Sequence, residues 1–354
     1  HLRDGGLAVA AGDGDQRQVE LRAPARGQGA ERGQRVGHFE PWKPRGCEPA
    51  VRDRGELSDD VTMALGWQNG VSMDQLPLIR KASAQAKALD LDAHSVKLYL
   101  DGVIVQKTAA MLAPYQDSGD ERGQTQIPED VLNQVVAELD ANGMQAHIHS
   151  IGDRAVRLAL DAIGGARARN GPRDNRHMVS HLNVIDPADQ PRFGELGAVA
   201  VFQPLWACDE PYMRLSIERI GPQRKPFIYP TRGVMAAGGK VAYGSDWPVA
   251  SANPLEGIEV ALTRIAPGVT DLAPLGPEQR IELADAIRAY TLNVAYVNRI
   301  DQDTGSITAG KRADLVVLDR DLFKIPANEI SKAKVLLTLY RGKPVSGDLA
   351  LGAR

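Results

Sequence analysis

Polar residues recur where runs of strand-like sequence end. Lys97 and Asp101 close "VKLYLDG", His147 and His149 close "MQAHIHS", His181 closes "RHMVSH" and Asp246 sits in "GSDWP". Imidazole nitrogens combined with carboxylate oxygens form a donor set for Zn²⁺, Mn²⁺ or Fe²⁺. Taken singly, each residue is weak evidence, since a lone strand histidine usually packs and an aspartate after Gly-Ser usually serves a turn. Recurrence at the same level of successive strands is what points to a metal site among Lys97, Asp101, His149, His181 and Asp246.

The neighbours are read more cautiously. His147 is expected to face away from His149, into packing between strand and helices. His177 is expected on the face of His181, deeper in the fold. Asp153 reads as a helix cap and Arg154 as an ion-pair partner. Asp101, Gln203 and Trp247 stand at strand ends where a substrate would touch them.

These residues need a scaffold that lines up strand ends. "IPEDVLNQVVAELDANG" predicts a helix with Pro128 in its first turn and Gly143 at its end. "GDRAVRLALDAIGG" predicts another, capped by Asp153 and stopped by Gly164-Gly165. "DPADQPRFGELG" starts on Asp186-Pro187, and "PEQRIELADAIRAYTLNVAYV" reads as one helix. Between them lie the strands "HSVKLYLDG", "MQAHIHS", "RHMVSH", "AVAVFQP" and "KVAYGSDWP". Strand–helix alternation in one direction implies a parallel α/β sheet, and its repetition favours a (β/α) barrel of the TIM type, whose chemistry collects at the strand C-termini. The end of the chain, "GSITAGKRADLVVLDRD" and "KVLLTLYRGKPVSG", predicts a small separate β unit.

Bulk properties exclude several classes. The 354 residues carry a formal net charge of -3, with 43% hydrophobic and 25% charged residues, an ordinary globular composition. That mild acidity gives no reason for a nucleic-acid or anionic-membrane partner, and no run reaches the ~20 apolar residues of a membrane span. Cys47 and Cys208 match no zinc or redox spacing, so a reducing compartment, the cytoplasm, is expected. Homo-oligomerisation is left open. Residues 1 to about 56 are dense in Gly and Arg and lack Ile, Asn and Tyr. A basic nucleic-acid tail is disfavoured because acidic residues nearly balance the arginines. Residues 1–70 are expected to be poorly structured or translated out of frame, and the native N-terminus is expected to lie elsewhere.

The motifs "VKLYLDGVIVQKTAAMLAPY", "HIHSIGDRAVRLALDAI", "RHMVSHLNVIDPADQPRFGELGAVAVFQP", "GSDWPV" with "NPLEGI", and "GSITAGKRADLVVLD" resemble, in order, signatures of the metal-dependent amidohydrolase superfamily, within its amidohydrolase family 3 (YtcJ-like) branch. The resemblance covers roughly residues 73–346. It implies a distorted TIM barrel, here strands four to eight over 71–302, and a β-sandwich segment over 303–354. It implies a centre of one or two divalent ions, zinc foremost. Lys97 matches a lysine that such enzymes carboxylate to bridge metals, His149 and His181 match ligands, and Asp246 matches a ligand that is also the general base.

The implied activity is hydrolysis of non-peptide carbon–nitrogen bonds in a small amide-type molecule. The family's His-x-His pair at the first barrel strand has no match upstream, where the histidines are His1, His38 and His94. An inactive fragment or pseudoenzyme is therefore the alternative. A lactonase- or phosphotriesterase-like hydrolase is the chemical runner-up, because the same centre attacks C–O and P–O bonds.

Overall fold

The computed structural model describes residues 60–347 apart from Asp90 and Asp117. The Gly/Arg-rich segment, Cys47, His1 and His38 lie outside the described residues. Six strands pair in chain order and all in parallel: β1 (Thr62–Gly66), β2 (Asp92–Tyr99), β3 (Gln145–Ser150), β4 (Met178–His181), β5 (Val199–Phe202) and β6 (Lys240–Tyr243). β1 and β6 are the sheet's edges, so among the described residues the sheet does not close into a barrel. Five barrel strands were expected, and β1 adds a sixth from within the 1–70 segment expected to be poorly structured.

The helices between these strands are α1 (Gln75–Ala88), α2 (Glu129–Ala141), α3 (Asp153–Asn170), α4 (Gln190–Leu196), α5 (Pro211–Ile220) and α6 (Thr231–Ala236). After β6 come α7 (Pro254–Thr263), α8 (Leu283–Tyr290) and α9 (Leu292–Val297). α2 starts after Pro128 with Glu129 and Asp130 in its first turn, where they complement the helix dipole. α3 departs from expectation at both ends. Gly152, not Asp153, is the N-cap; Asp153 is the first helical residue and accepts from Arg154 N at 2.9 Å, and the helix runs through Gly164-Gly165 to end before Gly171 at φ 78°. Two glycines weaken a helix but do not stop one whose other residues bury a face. Asp186 caps as expected, accepting from Ala188 N at 2.9 Å. The long helix expected over 277–297 is broken at Thr291 into α8 and α9.

β3, β4 and β5 are mostly buried, as parallel strands covered on both faces must be. On β2, Val96 and Leu98 are fully buried and belong to the main core with Leu132, Val135 and Leu139 of α2. A second cluster, Met178, Val199, Val201 and Ala242 with Val294 and Val297 of α9, forms an apolar floor. Val201 links that floor to the polar pocket above it.

The chain ends in a three-stranded antiparallel sheet, β7 (Leu315–Leu318), β8 (Val335–Tyr340) and β9 (Lys343–Gly347). It supplies the β unit expected at 303–354, as one layer among the described residues. Asp60 ties it to the start of the described chain, meeting Arg312 Nη1 at 2.5 Å and Arg341 Nη2 at 2.9 Å and accepting from the Tyr340 hydroxyl at 2.8 Å. No helix among the described residues is long and apolar enough to cross a membrane.

Candidate metal centre

At the C-terminal ends of β2 to β6, polar side chains stand above the apolar floor. A small cavity of about 20 Å³ is lined by Lys97, His147, Ser180, His181, Val201, Gln203, Gly244 and Asp246. Lys97 pairs in register with His147, and Tyr99 with His149, so β2 and β3 present matched residues to one face.

The expectation that His147 and His149 face opposite ways is wrong. Residues two apart on a strand share a face. His147 turns into the cavity, where its Nε2 lies 3.0 Å from Lys97 Nζ and 2.6 Å from Ser180 Oγ. Its Nδ1 is buried without a partner. Ser180 has no counterpart in the sequence reading; the even spacing of β4 and its pairing with β3 were the available signals.

His181 reaches the cavity by a different device. Strict alternation would send it to the face opposite Ser180, yet both line the same cavity. His181 has φ 80° and Leu182 φ 53°, left-handed values that break the strand's alternation at its last residue. Asp246 likewise has φ 54°. Such backbone strain in non-glycine residues is held in place by the surrounding structure and clusters at functional sites.

The imidazole rings of His149 and His181 lie 4.5 Å apart between centroids. Both are neutral at ordinary pH. Burial, then the charge of Lys97, pushes His149 down to about 4, and burial holds His181 well below its usual range. His149 Nε2 faces the Gly102 carbonyl at 3.3 Å, which places its proton on Nε2 and its lone pair on Nδ1. His181 Nδ1 faces Gln203 Oε1 at 2.9 Å, which leaves the lone pair on Nε2. Trp206 stacks on His181 at 5.9 Å and 9°, and Tyr99 lies 5.6 Å from His149; neither aromatic was singled out from the sequence.

Asp101 does not stand where a substrate would meet it. It is 1% exposed, and its oxygens accept from the amides of Ala110, Ile151 and Gly152, each at 2.9 Å. Burial pushes its carboxyl up to about 7 while those amides pull the other way. It lies 3.6 Å from His149 Nε2 and braces the loops around that ring. Gln203 spends its oxygen on His181. Trp247, next to Asp246 in the chain, is 43% exposed. His177 is absent from the cavity lining. Its Nδ1 accepts from Ala146 N and its Nε2 donates to Asp140, each at 3.0 Å, at the opposite end of β4. Asp153 accepts from Leu112 N at 2.7 Å, and Arg154 donates to the Gly123 carbonyl at 2.8 Å.

The donors fit a divalent cation in kind: two neutral imidazoles, with a carboxylate and a lysine on the adjoining cavity. They are incomplete in number. Among the described residues, no three His, Cys, Asp or Glu side chains stand close enough together to hold a metal. Of the expected residues, Lys97, His181 and Asp246 line the cavity and His149 stands beside His181, with Asp246 on the loop after the edge strand β6.

The profile of the amidohydrolase family matches residues 55–346. The chain belongs to the amidohydrolase family. It is 27% identical to the putative amidohydrolase YtcJ of Bacillus subtilis over 71% of this chain and 46% of that protein. It is 30% identical to the N-substituted formamide deformylase of Arthrobacter pascens over 56% of this chain and 36% of that protein. Among solved structures, an uncharacterized metal-dependent hydrolase from Pyrococcus furiosus aligns with TM-score 0.62 at 23% identity, over 78% of this chain and 53% of that one. This likeness shows that the two chains share an α/β fold. The amidohydrolase chain described here spans less than half the length of the curated relatives it matches.

Proposed function

We propose that the protein from which this chain comes is a metal-dependent hydrolase of non-peptide carbon–nitrogen bonds in small amides. The observation that carries the reading is the pair of neutral imidazoles, His149 and His181, 4.5 Å apart beside a cavity holding Lys97 and Asp246. His149 would offer Nδ1 and His181 Nε2 to a divalent cation, zinc by donor type. Asp246, and Lys97 if carboxylated, would add oxygens. The cation, when bound, supplies an acidified water and positive charge for the scissile carbonyl oxygen. Asp246 takes a proton on a carboxylate oxygen and returns it to the leaving nitrogen. Trp247 contacts the substrate at the rim. The name of the formamide deformylase relative supports an N-substituted formamide or similar amide as substrate class. The buried free thiol of Cys208 supports a cytoplasmic setting.

A second reading has a specific observation behind it. The chain does not gather three metal-capable side chains among its described residues, which favours a fragment that is inactive alone. Metal analysis of the purified chain and of His181→Ala separates the two. A stoichiometric divalent metal that is lost in His181→Ala, with turnover of N-substituted formamides, supports the hydrolase. Absence of both metal and turnover supports the inactive fragment. Turnover of lactones or phosphotriesters but not amides would move the chemistry to C–O or P–O bonds.

A further inference from the structure

We infer that Gln203 is a positioning residue for His181, fixing that ring in its Nδ1–H tautomer so that Nε2 presents its lone pair to a cation. The inference rests on the reading of His181 as a metal ligand. A neutral imidazole carries one N–H, and its location is set by whatever the other nitrogen faces. An amide oxygen only accepts, so the 2.9 Å contact between Gln203 Oε1 and His181 Nδ1 puts the proton on Nδ1. Both residues are buried, Gln203 at 4% and His181 at 6% exposure, so water does not compete for the contact.

One short segment delivers two constraints on that ring. Gln203 directly follows β5, and His181 pairs with Phe202 in register, which sets the carboxamide beside the ring. A single turn of 3₁₀ helix over Pro204–Trp206 then brings Trp206 parallel to the same ring, 5.9 Å away at 9°. The oxygen selects the tautomer and the indole fixes the plane. His149 is held in the opposite tautomer from another side, by the Gly102 carbonyl at 3.3 Å. Each lone pair is thereby freed by an oxygen partner of its own. Partners of this kind on metal-ligating histidines are typically worth about 10- to 100-fold in metal affinity.

The test uses the full chain labelled with ¹⁵N-histidine, stripped with chelator, and examined by NMR, with His181 assigned by the signal lost in His181→Ala. Zn²⁺ affinity is measured by calorimetry on wild type, Gln203→Leu and Gln203→Glu. Wild type is expected to show His181 as the Nδ1–H tautomer. Gln203→Leu should lose that preference and bind Zn²⁺ about 10- to 100-fold more weakly, while Gln203→Glu, which still accepts, retains both. An Nε2–H tautomer in wild type overturns the inference, as does Gln203→Leu with unchanged tautomer and affinity. If Gln203→Leu fails to fold, the wild-type tautomer and the Gln203→Glu result decide. A tautomer that switches in Gln203→Leu, in chains that bind no Zn²⁺, upholds the role of Gln203 and removes the metal reading instead.

Discussion

Lys97 and His147 face each other across the β2–β3 ladder, Nζ to Nε2 at 3.0 Å, and the lysine charge acts on all three histidines of the site. Burial is the larger cause of their depressed basicity and Lys97 the next. Lys97→Met is therefore expected to move the His149 titration up from about 4, stopping short of 6.5 because burial persists. Proton NMR titration of the imidazole signals checks this, and an unmoved His149 would remove Lys97 as a cause.

Asp101 gathers three amides from two loops, and Asp101→Ala strands all three donors. A buried donor left unsatisfied costs about 1–3 kcal/mol. A loss of about 3–5 kcal/mol, after partial relaxation, is expected from urea unfolding. Asp101→Asn, which keeps one acceptor oxygen, should lose less. Equal losses for both variants would contradict the brace.

The same loops leave no room at Gly152. A Cβ there would lie 2.1 Å from the Ala110 carbonyl oxygen and 2.9 Å from Met111 Sδ. Gly152→Ala should destabilise by about 1–3 kcal/mol, the range for forced overpacking. Gly165→Ala, where nothing lies within 4 Å, serves as the control and should be neutral or stabilising in thermal melts.

Far from the site, burial works to raise the Asp140 carboxyl. Hydrogen bonds from His177, Asn170 and Asn175 outweigh it and hold the group down at about 2, against 3.8 unperturbed. Between those values the unfolded chain binds a proton that the folded one does not, so stability rises with pH across that window. The contribution is complete above about 4 and is lost as pH falls toward 2. The gap in urea midpoint between wild type and Asp140→Asn should narrow over that fall. A gap independent of pH would show that Asp140 acts without its charge.

Much of this architecture was legible in the sequence. The strand ends carrying His149, His181 and Asp246 could be read from strand-like runs, and Pro128 and Asp186 marked the starts of helical turns by their own chemistry. The errors have physical causes. The pleat places His147 and His149 together, and the opposite assignment hid the Lys97–His147–Ser180 contact. His181 enters the cavity through a left-handed backbone turn that no periodicity reveals. Asp101 has the chemistry of a substrate contact, and only the fold shows its oxygens occupied by amides. Trp206 and Tyr99 look like packing residues until the strands bring them to the histidines.

The tie at Asp60 has a consequence for the order in which the chain assembles. Its bond to Arg341 spans 281 residues. The sheet's sequential parallel pairings span far fewer residues each, so the terminal clasp is expected to form after them. Asp60→Asn should then leave the folding arm of a chevron in place and raise only the unfolding arm. That outcome would make the clasp a latch on how long the folded chain lasts, and a slowed folding arm would contradict it.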